Sequence, residues 1–170
     1  MQSADYDRFL EACRPLALYA RAAIALLVLE KFCLEHGIHH SELDRFFDYM
    51  WKGPSSDFAE WEASKPPLVV YGIGGGAIPA ELAPLLSSAE IDEPRFRDII
   101  SGAILVLWGS FWGEAEDESS FEHLKRVVYR AKVSTLPPLT PFRFLLFSDG
   151  GWRAPSSEDL EYWRGMRGYA

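Results

Sequence analysis

Apolar residues recur at helical spacing between residues 96 and 113, in the segment FRDIISGAILVLWGSFWG. One face of this segment consists of residues three or four positions apart, namely Phe96, Ile99, Ile100, Ala103, Ile104, Leu107 and Phe111. Leu105, Val106 and Trp108 occupy much of the other side, so protein must cover the helix on nearly all sides. We predict a central buried helix over about 94–112, capped by Asp92.

The same segment is too short to cross a membrane. Its apolar run, residues 99–112, is shorter than the roughly 20 residues that a membrane span requires. Charged residues close both ends, with Arg95, Arg97 and Asp98 before the run and Glu114 after it. We therefore predict a core helix and no membrane association.

Similar patterns predict further helices on both sides of the central one. They lie at 4–14, 16–36, 41–51, 57–63, 79–86, 119–132 and from residue 156 onwards. Three of them begin with a serine that is followed by an acid three positions later, which is the arrangement of a capping box: Ser41 with Asp44, Ser119 with Glu122, and Ser156 with Asp159. Gly37 is placed to end the second helix in the left-handed conformation.

Two segments leave the choice between helix and strand open. Residues 68–71 are β-branched and aromatic, which makes them the best strand candidate. In residues 142–147 alternation favours a strand, whereas the preceding Thr140 and Pro141 favour a short helix, which we predict. The fold class that follows is all-α: one helical domain over 1–170, with seven or eight helical segments around the central helix and at most a minor strand.

Length and composition agree with one helical domain, and the distribution of charge adds information about possible partners. The chain has 170 residues, of which 48% are hydrophobic, and this suits one domain with a substantial core. Its net charge of −8 is uneven, because residues 66–118 contain nine acidic and two basic side chains. Such an acidic chain disfavours nucleic-acid binding, which needs basic side chains against phosphates, and it favours a basic partner.

Cysteine placement and the N-terminal sequence indicate a reducing compartment. Cys13 and Cys33 lie within apolar helical patterns and form no CxxC or CxxH pair, which disfavours a structural zinc site. The N-terminal sequence lacks the basic-then-apolar order of a signal peptide. We predict a cytoplasmic protein with free buried thiols and no cofactor.

Residues 72–76, GIGGG, resemble a phosphate-binding loop only in part. Ala77 stands where the third glycine of GxGxxG would be, and neither a second βαβ unit nor a GK[ST] sequence accompanies the stretch. We therefore predict a flexible loop. The chain has no GxSxG motif, and neither cysteine has a base nearby in sequence, so nucleophilic catalysis has no sequence support.

Three of the four histidines, His36, His39 and His40, lie close together with acidic residues on both sides. Imidazole and carboxylate groups are common metal ligands, so this cluster is an alternative metal site. Its HxxHH spacing differs from HExxH, and His36 near a helix C-terminus suits the helix dipole without a metal. The fourth histidine, His123, is predicted on a solvated helix face.

Five acids lie within nine residues and form what we call the acidic loop: Glu114, Glu116, Asp117, Glu118 and Glu122. The DxDxDG order of an EF-hand is missing. Solvation at a helix N-terminus, where the dipole favours acids, explains such a cluster without a function. The functional alternatives are a docking surface for a basic protein, with nearby Trp112 as an aromatic anchor, a divalent-cation loop and catalytic carboxylates.

Five sequence segments together carry a family resemblance. They are FDYMWK (47–52), FAEWE (58–62), PPLVVYGIG (66–74), LWGSFWG (107–113) and GGWRAPSSEDLEYWR (150–164). In this pattern the chain resembles small all-helical bacterial proteins, some of which are similar to the immunity partners of secreted polymorphic toxins. The resemblance implies a cytoplasmic protein that neutralises a toxin domain by binding it, and it assigns no functional residue.

We predict a non-enzymatic protein-binding module, an immunity-type inhibitor of a basic toxin domain, whose contact surface includes Trp112 and the acidic loop. The alternative is a small-molecule-binding protein or enzyme. Its aromatic pocket would be lined by Trp51, Trp61, Tyr71 and Trp108, with a polar group from the histidines. A third alternative is a structural subunit whose aromatic residues form homo-oligomer contacts.

Overall fold

The computed structural model describes residues 3–53, 58–110 and 114–169. Within these ranges it contains nine α-helices and no β-sheet, so the predicted all-α fold is confirmed. The helices are α1 (Ser3–Cys13), α2 (Leu18–Glu35), α3 (Ser41–Lys52), α4 (Phe58–Ala63), α5 (Pro67–Gly72), α6 (Leu82–Ser88), α7 (Glu93–Trp108), α8 (Asp117–Ala131) and α9 (Ser157–Gly165). Short 3-10 turns lie at Thr140–Phe142, Phe147–Asp149 and Arg167–Tyr169.

The second helix, α2, is the most completely buried of the long helices. It is rich in Ala and Leu, both strong helix formers. Only Tyr19, Lys31, Leu34 and Glu35 of this helix are not buried, because α7 and α8 pack against it and the C-terminal turn covers part of it. The core is therefore built on α2, α7 and α8 together.

The predicted central helix is α7, which ends at Trp108 instead of near residue 112. Its N-terminus is capped as predicted, because Asp92 Oδ1 accepts a hydrogen bond from the Arg95 amide at 2.8 Å. Gly109 is the C-cap. Phe111 and Trp112, which the sequence placed at the end of this helix or close to it, lie outside the described residues.

The packing of α7 against α8 depends on a glycine. A Cβ atom on Gly102 would lie 2.7 Å from Val127 Cγ2 and 3.0 Å from the carbonyl oxygen of His123. Near the C-terminus of α8, the Arg95 guanidinium donates to the carbonyls of Arg130 (2.9 Å) and Ala131 (3.0 Å). These carbonyls have no partner within the helix, so Arg95 ties the start of α7 to the end of α8.

The best strand candidate, residues 68–71, is helical in the structure, because these residues form most of α5. Pro67 occupies the first turn of that helix, where a missing amide does no harm. Leu68, Val69 and Tyr71 are buried, and a Cβ on Gly72 would collide with Ile104 Cδ1 of α7. A short apolar run buried on several sides has no periodicity that separates helix from strand.

The helix predicted at residues 142–147 is wrong. Thr140 and Pro141 start only a single 3-10 turn, and the chain then extends to form one antiparallel bridge between Leu146 and Leu16. The Ala17 amide donates to the Leu145 carbonyl at 2.9 Å. The backbone of this segment therefore forms hydrogen bonds with the residues that link α1 to α2. Local sequence cannot show such a long-range pairing.

The predicted helix caps have mixed outcomes. The capping box of Ser156 and Asp159 and the left-handed Gly37, with φ +64°, are confirmed. The α3 cap is His40 instead of Ser41, since His40 Nδ1 accepts from the Glu42 amide at 3.2 Å. The predicted cap at Ser119 is wrong because α8 begins two residues earlier.

A search of the described helices for a segment long and apolar enough to cross a bilayer finds none.

We predict that Gly102→Ala lowers the free energy of unfolding by about 1–3 kcal/mol, because the new methyl group overpacks the contact between α7 and α8. Chemical denaturation followed by circular dichroism measures this change. The matched control is Gly165→Ala at the end of α9, where a Cβ meets nothing within 4 Å. Equal effects of the two substitutions would contradict the packing argument.

Candidate functional site

The acidic loop is attached to the core by a buried arginine. Arg21 of α2 is 0% exposed, and its Nη2 lies 2.5 Å from Asp117 Oδ1. Its Nη1 donates to the Asp117 carbonyl at 2.8 Å, and Nη2 also donates to the Arg14 carbonyl. Asp117 therefore neutralises a charge within the protein, and the start of α8 is fixed on α2.

Burial lowers the pKa of Arg21, and the paired Asp117 acts in the opposite direction. The rings of Phe121 and Phe147 each lie 5.5 Å from the guanidinium carbon. Their faces add a cation–π attraction in a place that excludes water. A charged group this enclosed needs its partner, because an unpaired charge in such surroundings is costly.

Two further acids of the acidic loop are also paired within the chain. Glu118 Oε2 lies 3.0 Å from Arg14 Nη1, and this hydrogen bond lowers the pKa of Glu118. Glu122 Oε1 lies 2.6 Å from Lys125 Nζ. Their charges are therefore partly compensated before any partner arrives, and counting acids in the sequence overstates the field of the acidic loop.

Glu114 and Glu116 are the remaining members of the acidic loop, and both are exposed. The Glu116 amide donates to the hydroxyl oxygen of buried Ser110 at 3.0 Å, so the backbone is held here as well. Neither carboxylate forms an ion pair with another described residue. Trp112, the predicted anchor, lies outside the described residues.

The four aromatic residues of the alternative pocket, Trp51, Trp61, Tyr71 and Trp108, are all buried. Trp61 stacks on Tyr49 with ring centroids 4.7 Å apart, and it lies 5.7 Å from Trp108. Trp51 faces a different region, where its Nε1 lies 3.4 Å from Glu30 Oε1. Tyr71 lies against the start of α7, where its ring centroid is 6.4 Å from that of Phe96. The structure thus divides this set among three parts of the core.

An open groove of about 690 Å³ lies between α3, α4 and the start of α5. Trp61 and Tyr49 contribute to its lining, but both are buried and present little of their rings. Charged side chains such as Arg45 and Asp48 form much of the remaining wall. The groove therefore presents charged side chains and little aromatic surface, unlike the aromatic pocket that the sequence predicts.

The three clustered histidines have separate structural roles. His36 is the C-cap of α2, and its Nδ1 lies 2.9 Å from the Phe32 carbonyl oxygen. His40 caps α3, whereas His39 is exposed between the two helices. Within the described residues no group of three or more His, Cys, Asp or Glu side chains is arranged to hold a metal ion.

The prediction for His123 is wrong, whereas the prediction for the two cysteines is confirmed. His123 is half-buried instead of solvated, and burial lowers its pKa. Cys13 and Cys33 are free and buried as predicted. Burial raises the pKa of Cys13 to about 12 and that of Cys33 still further, so both thiols stay protonated and poorly nucleophilic.

A site that the sequence did not predict surrounds Glu30 of α2. This side chain is only 4% exposed. Its Oε1 accepts from Arg167 Nε at 3.1 Å and from Trp51 Nε1 at 3.4 Å, whereas Oε2 has no hydrogen-bond partner. Burial raises the pKa of Glu30 to about 7, against the opposing effect of Arg167. A carboxylate in this state is typical of binding and catalytic sites.

Glu30 lines a cavity of about 130 Å³ between α2, α3 and the C-terminal turn. We call this cavity the Glu30 pocket, and it is lined by Glu30, Cys33, Leu34, Ile38, His39, His40, Leu43, Asp44, Phe47 and Arg167. Glu30 stands out in the sequence only as one acid within the apolar run ALLVLEKF. An acid at a position where the helix periodicity requires burial was the available signal.

Comparison of the chain with protein-family models gave no match, and neither did comparison with curated proteins or with solved structures. The resemblance to immunity proteins therefore stays a prediction.

We predict that Asp117→Asn destabilises the protein by about 1–3 kcal/mol, because it leaves buried Arg21 without the charge of its half-exposed partner. Glu118→Gln is the matched control, since it removes the neighbouring carboxylate from a solvent-exposed pair. Denaturant titration should show a large loss for the first variant and little change for the second. A small effect of Asp117→Asn would mean that water replaces the carboxylate.

We also predict that Glu30 destabilises the fold as the pH rises. Its pKa is about 7 in the folded protein against an ordinary value of 4.5, so the folded state holds the proton more tightly. Stability is therefore lost between about pH 4.5 and 7, by up to about 3 kcal/mol. Denaturation of wild type and Glu30→Gln across this range measures the difference, which should grow with pH in favour of the variant. A pH-independent difference would contradict the raised pKa.

Proposed function

We propose that this chain is a cytoplasmic, non-enzymatic protein-binding module, an immunity-type inhibitor that binds a basic bacterial toxin domain. The support is the family resemblance together with the arrangement of the acidic loop. Within that loop the exposed carboxylates of Glu114 and Glu116 are the proposed contact groups. Asp117 is not a contact group in this proposal, since its carboxylate is engaged by Arg21.

The observation that carries the proposal is that two buried polar groups hold the exposed acidic segment at Glu116 and at the next residue, Asp117. Ser110 holds the Glu116 amide, and Arg21 holds both the carboxylate and the carbonyl of Asp117. A segment that is already ordered loses less conformational entropy when a partner binds. Such rigidity favours the interpretation of the segment as a docking surface over its interpretation as an acidic loop that is merely exposed to solvent.

The distribution of charge supports a basic partner. Residues 66–118 contain nine acids and two bases, and Glu114 and Glu116 lie near the end of that stretch. Four of the nine acids are already paired with arginines, so the support comes from the acids that remain exposed and outside these pairs, Glu114 and Glu116 among them. An acidic patch attracts a basic protein over distances of about a Debye length, which raises the association rate. Charge complementarity of this kind also disfavours partners of the wrong sign.

The alternative prediction is a small-molecule site. The structure contains a candidate for such a site at the Glu30 pocket and not at the four aromatic residues. The four aromatic residues assigned to it are buried in three separate regions of the core. The Glu30 pocket instead combines apolar walls with a buried acceptor, and its rim includes His39 and His40.

The first test concerns the gene next to this one. We expect the reading frame immediately upstream to encode a large secreted protein with a basic C-terminal toxin domain, and we expect that domain to co-purify with this chain. A metabolic operon in that position would contradict the immunity function, as would a toxin domain that fails to bind.

The second test is charge reversal at the proposed contact groups. We predict that Glu114→Lys with Glu116→Lys slows association with that toxin domain and weakens binding by about tenfold. The matched control is Glu81→Lys with Glu161→Lys, which makes the same change in net charge at two exposed positions elsewhere. Association rates at low and high salt measure both effects. Equal weakening by the two double variants would show that net charge matters and the location does not.

A further inference from the structure

We propose that the Glu30 pocket binds a small organic amine. The ammonium group donates a hydrogen bond to Glu30, and the apolar body of the amine packs against the pocket wall. This site is separate from the proposed protein-docking surface, and neither proposal depends on the other.

The first argument is the unequal use of the two Glu30 oxygens. Arg167 and Trp51 both donate to Oε1, and Oε2 has no donor although the side chain is 96% removed from solvent. An ionised carboxylate can accept several hydrogen bonds, and leaving a buried acceptor unsatisfied destabilises the protein. A ligand N–H that reaches Oε2 would recover that loss.

The second argument is the chemistry of the wall. Ile38, Leu43 and Phe47 give the pocket apolar walls, and Leu34 is an exposed apolar residue in its lining. The volume is about 130 Å³, and a cavity of about 150 Å³ holds one benzene ring. The pocket therefore suits a ligand with one small ring or a short branched chain.

Arg167 supplies the third argument, because its own guanidinium group already places a cation against Glu30. It lies in the Arg167–Tyr169 turn, which is fixed to α2 by hydrogen bonds from Lys31 Nζ to the Gly168 carbonyl (3.4 Å) and from the Tyr169 hydroxyl to the Leu27 carbonyl (3.3 Å). The side chain of Arg167 itself is half-exposed, so its guanidinium can turn outward and admit another cation.

The surrounding charges favour a cation over an anion at this position. An anionic group would have to sit against the buried Glu30 carboxylate, whereas the neighbouring cations, Arg167 and Arg164, are half-exposed and reach solvent. Asp44 adds a second acid to the pocket lining. An ammonium group is therefore the charge type that the buried part of the site can stabilise.

The test uses benzylamine, benzyl alcohol and benzoate as probes, which share one ring and differ in charge. Binding is followed by amide chemical shifts in NMR titrations at pH 8, where Glu30 is ionised because its pKa is about 7. We expect benzylamine to bind at least about tenfold more tightly than the other two probes, with shift changes at Leu34, His39 and His40.

Three variants make the test specific. Glu30→Gln should abolish the preference for benzylamine, and Arg167→Gln should strengthen benzylamine binding by severalfold because it removes the competing cation. Glu161→Gln is the matched control: it removes one exposed acid that does not line the pocket and should change the affinity less than about threefold. Circular dichroism of each variant checks the fold.

Several outcomes would overturn the proposal. One is tighter binding of benzoate than benzylamine, with loss of binding in Arg167→Gln, since that result would identify an anion site. Another is benzylamine binding that Glu30→Gln leaves unchanged, since that would reflect the apolar wall alone. If Glu30→Gln does not fold, the direction of the Arg167→Gln effect still decides between a cation and an anion.

Discussion

The burial of α2 is the constraint on which the rest of the structure depends. This helix is covered on nearly every side, yet it carries two ionisable residues that are also buried, Arg21 and Glu30. They are nine positions apart, which is two and a half helical turns, so they project from opposite sides. Each one needs polar partners from elsewhere in the chain. Arg21 recruits the acidic loop, and Glu30 recruits Trp51 and the C-terminal turn.

Arg21 and Glu30 differ in how many of their polar atoms have hydrogen-bond partners. We use this difference to separate a charge that serves the fold from one that can bind a ligand. Arg21 receives a carboxylate and two carbonyls at its two terminal nitrogens, and its Nε alone has no acceptor, so the acidic residue that it binds serves the fold. Glu30 is left with one oxygen unused, and burial keeps its pKa near neutrality. A satisfied buried charge has little left to offer a ligand, whereas a half-satisfied one gains from any donor that reaches it.

Local sequence patterns were sufficient for the fold class but not for contacts between distant residues. Ala-rich and Leu-rich periodicity predicted α2 and α7, and the Ser156 capping box marked the start of α9, because these signals lie within a few residues. The start of α8 was missed because Asp117 is fixed by Arg21, 96 positions earlier. The choice between helix and strand at residues 68–71 depended on packing against α7, which no local pattern encodes.

The same limit applied to the candidate sites. The acidic loop was recognisable from composition, but which of its acids are already paired depends on the positions of Arg14 and Arg21 on other elements. The four aromatic residues looked like a pocket because aromatic side chains serve cores and binding sites equally well. Glu30 was the opposite case: in the sequence it is a single acid that interrupts an apolar helix, and only its contact with the turn at Arg167 reveals that it is enclosed.

Since Arg21 and Glu30 face opposite sides of α2, a protein bound at the acidic loop and an amine in the Glu30 pocket would not compete for the same surface. The two sites are nevertheless joined by α2, because its buried Arg21 fixes the start of α8 beside the docking groups and its buried Glu30 lines the pocket.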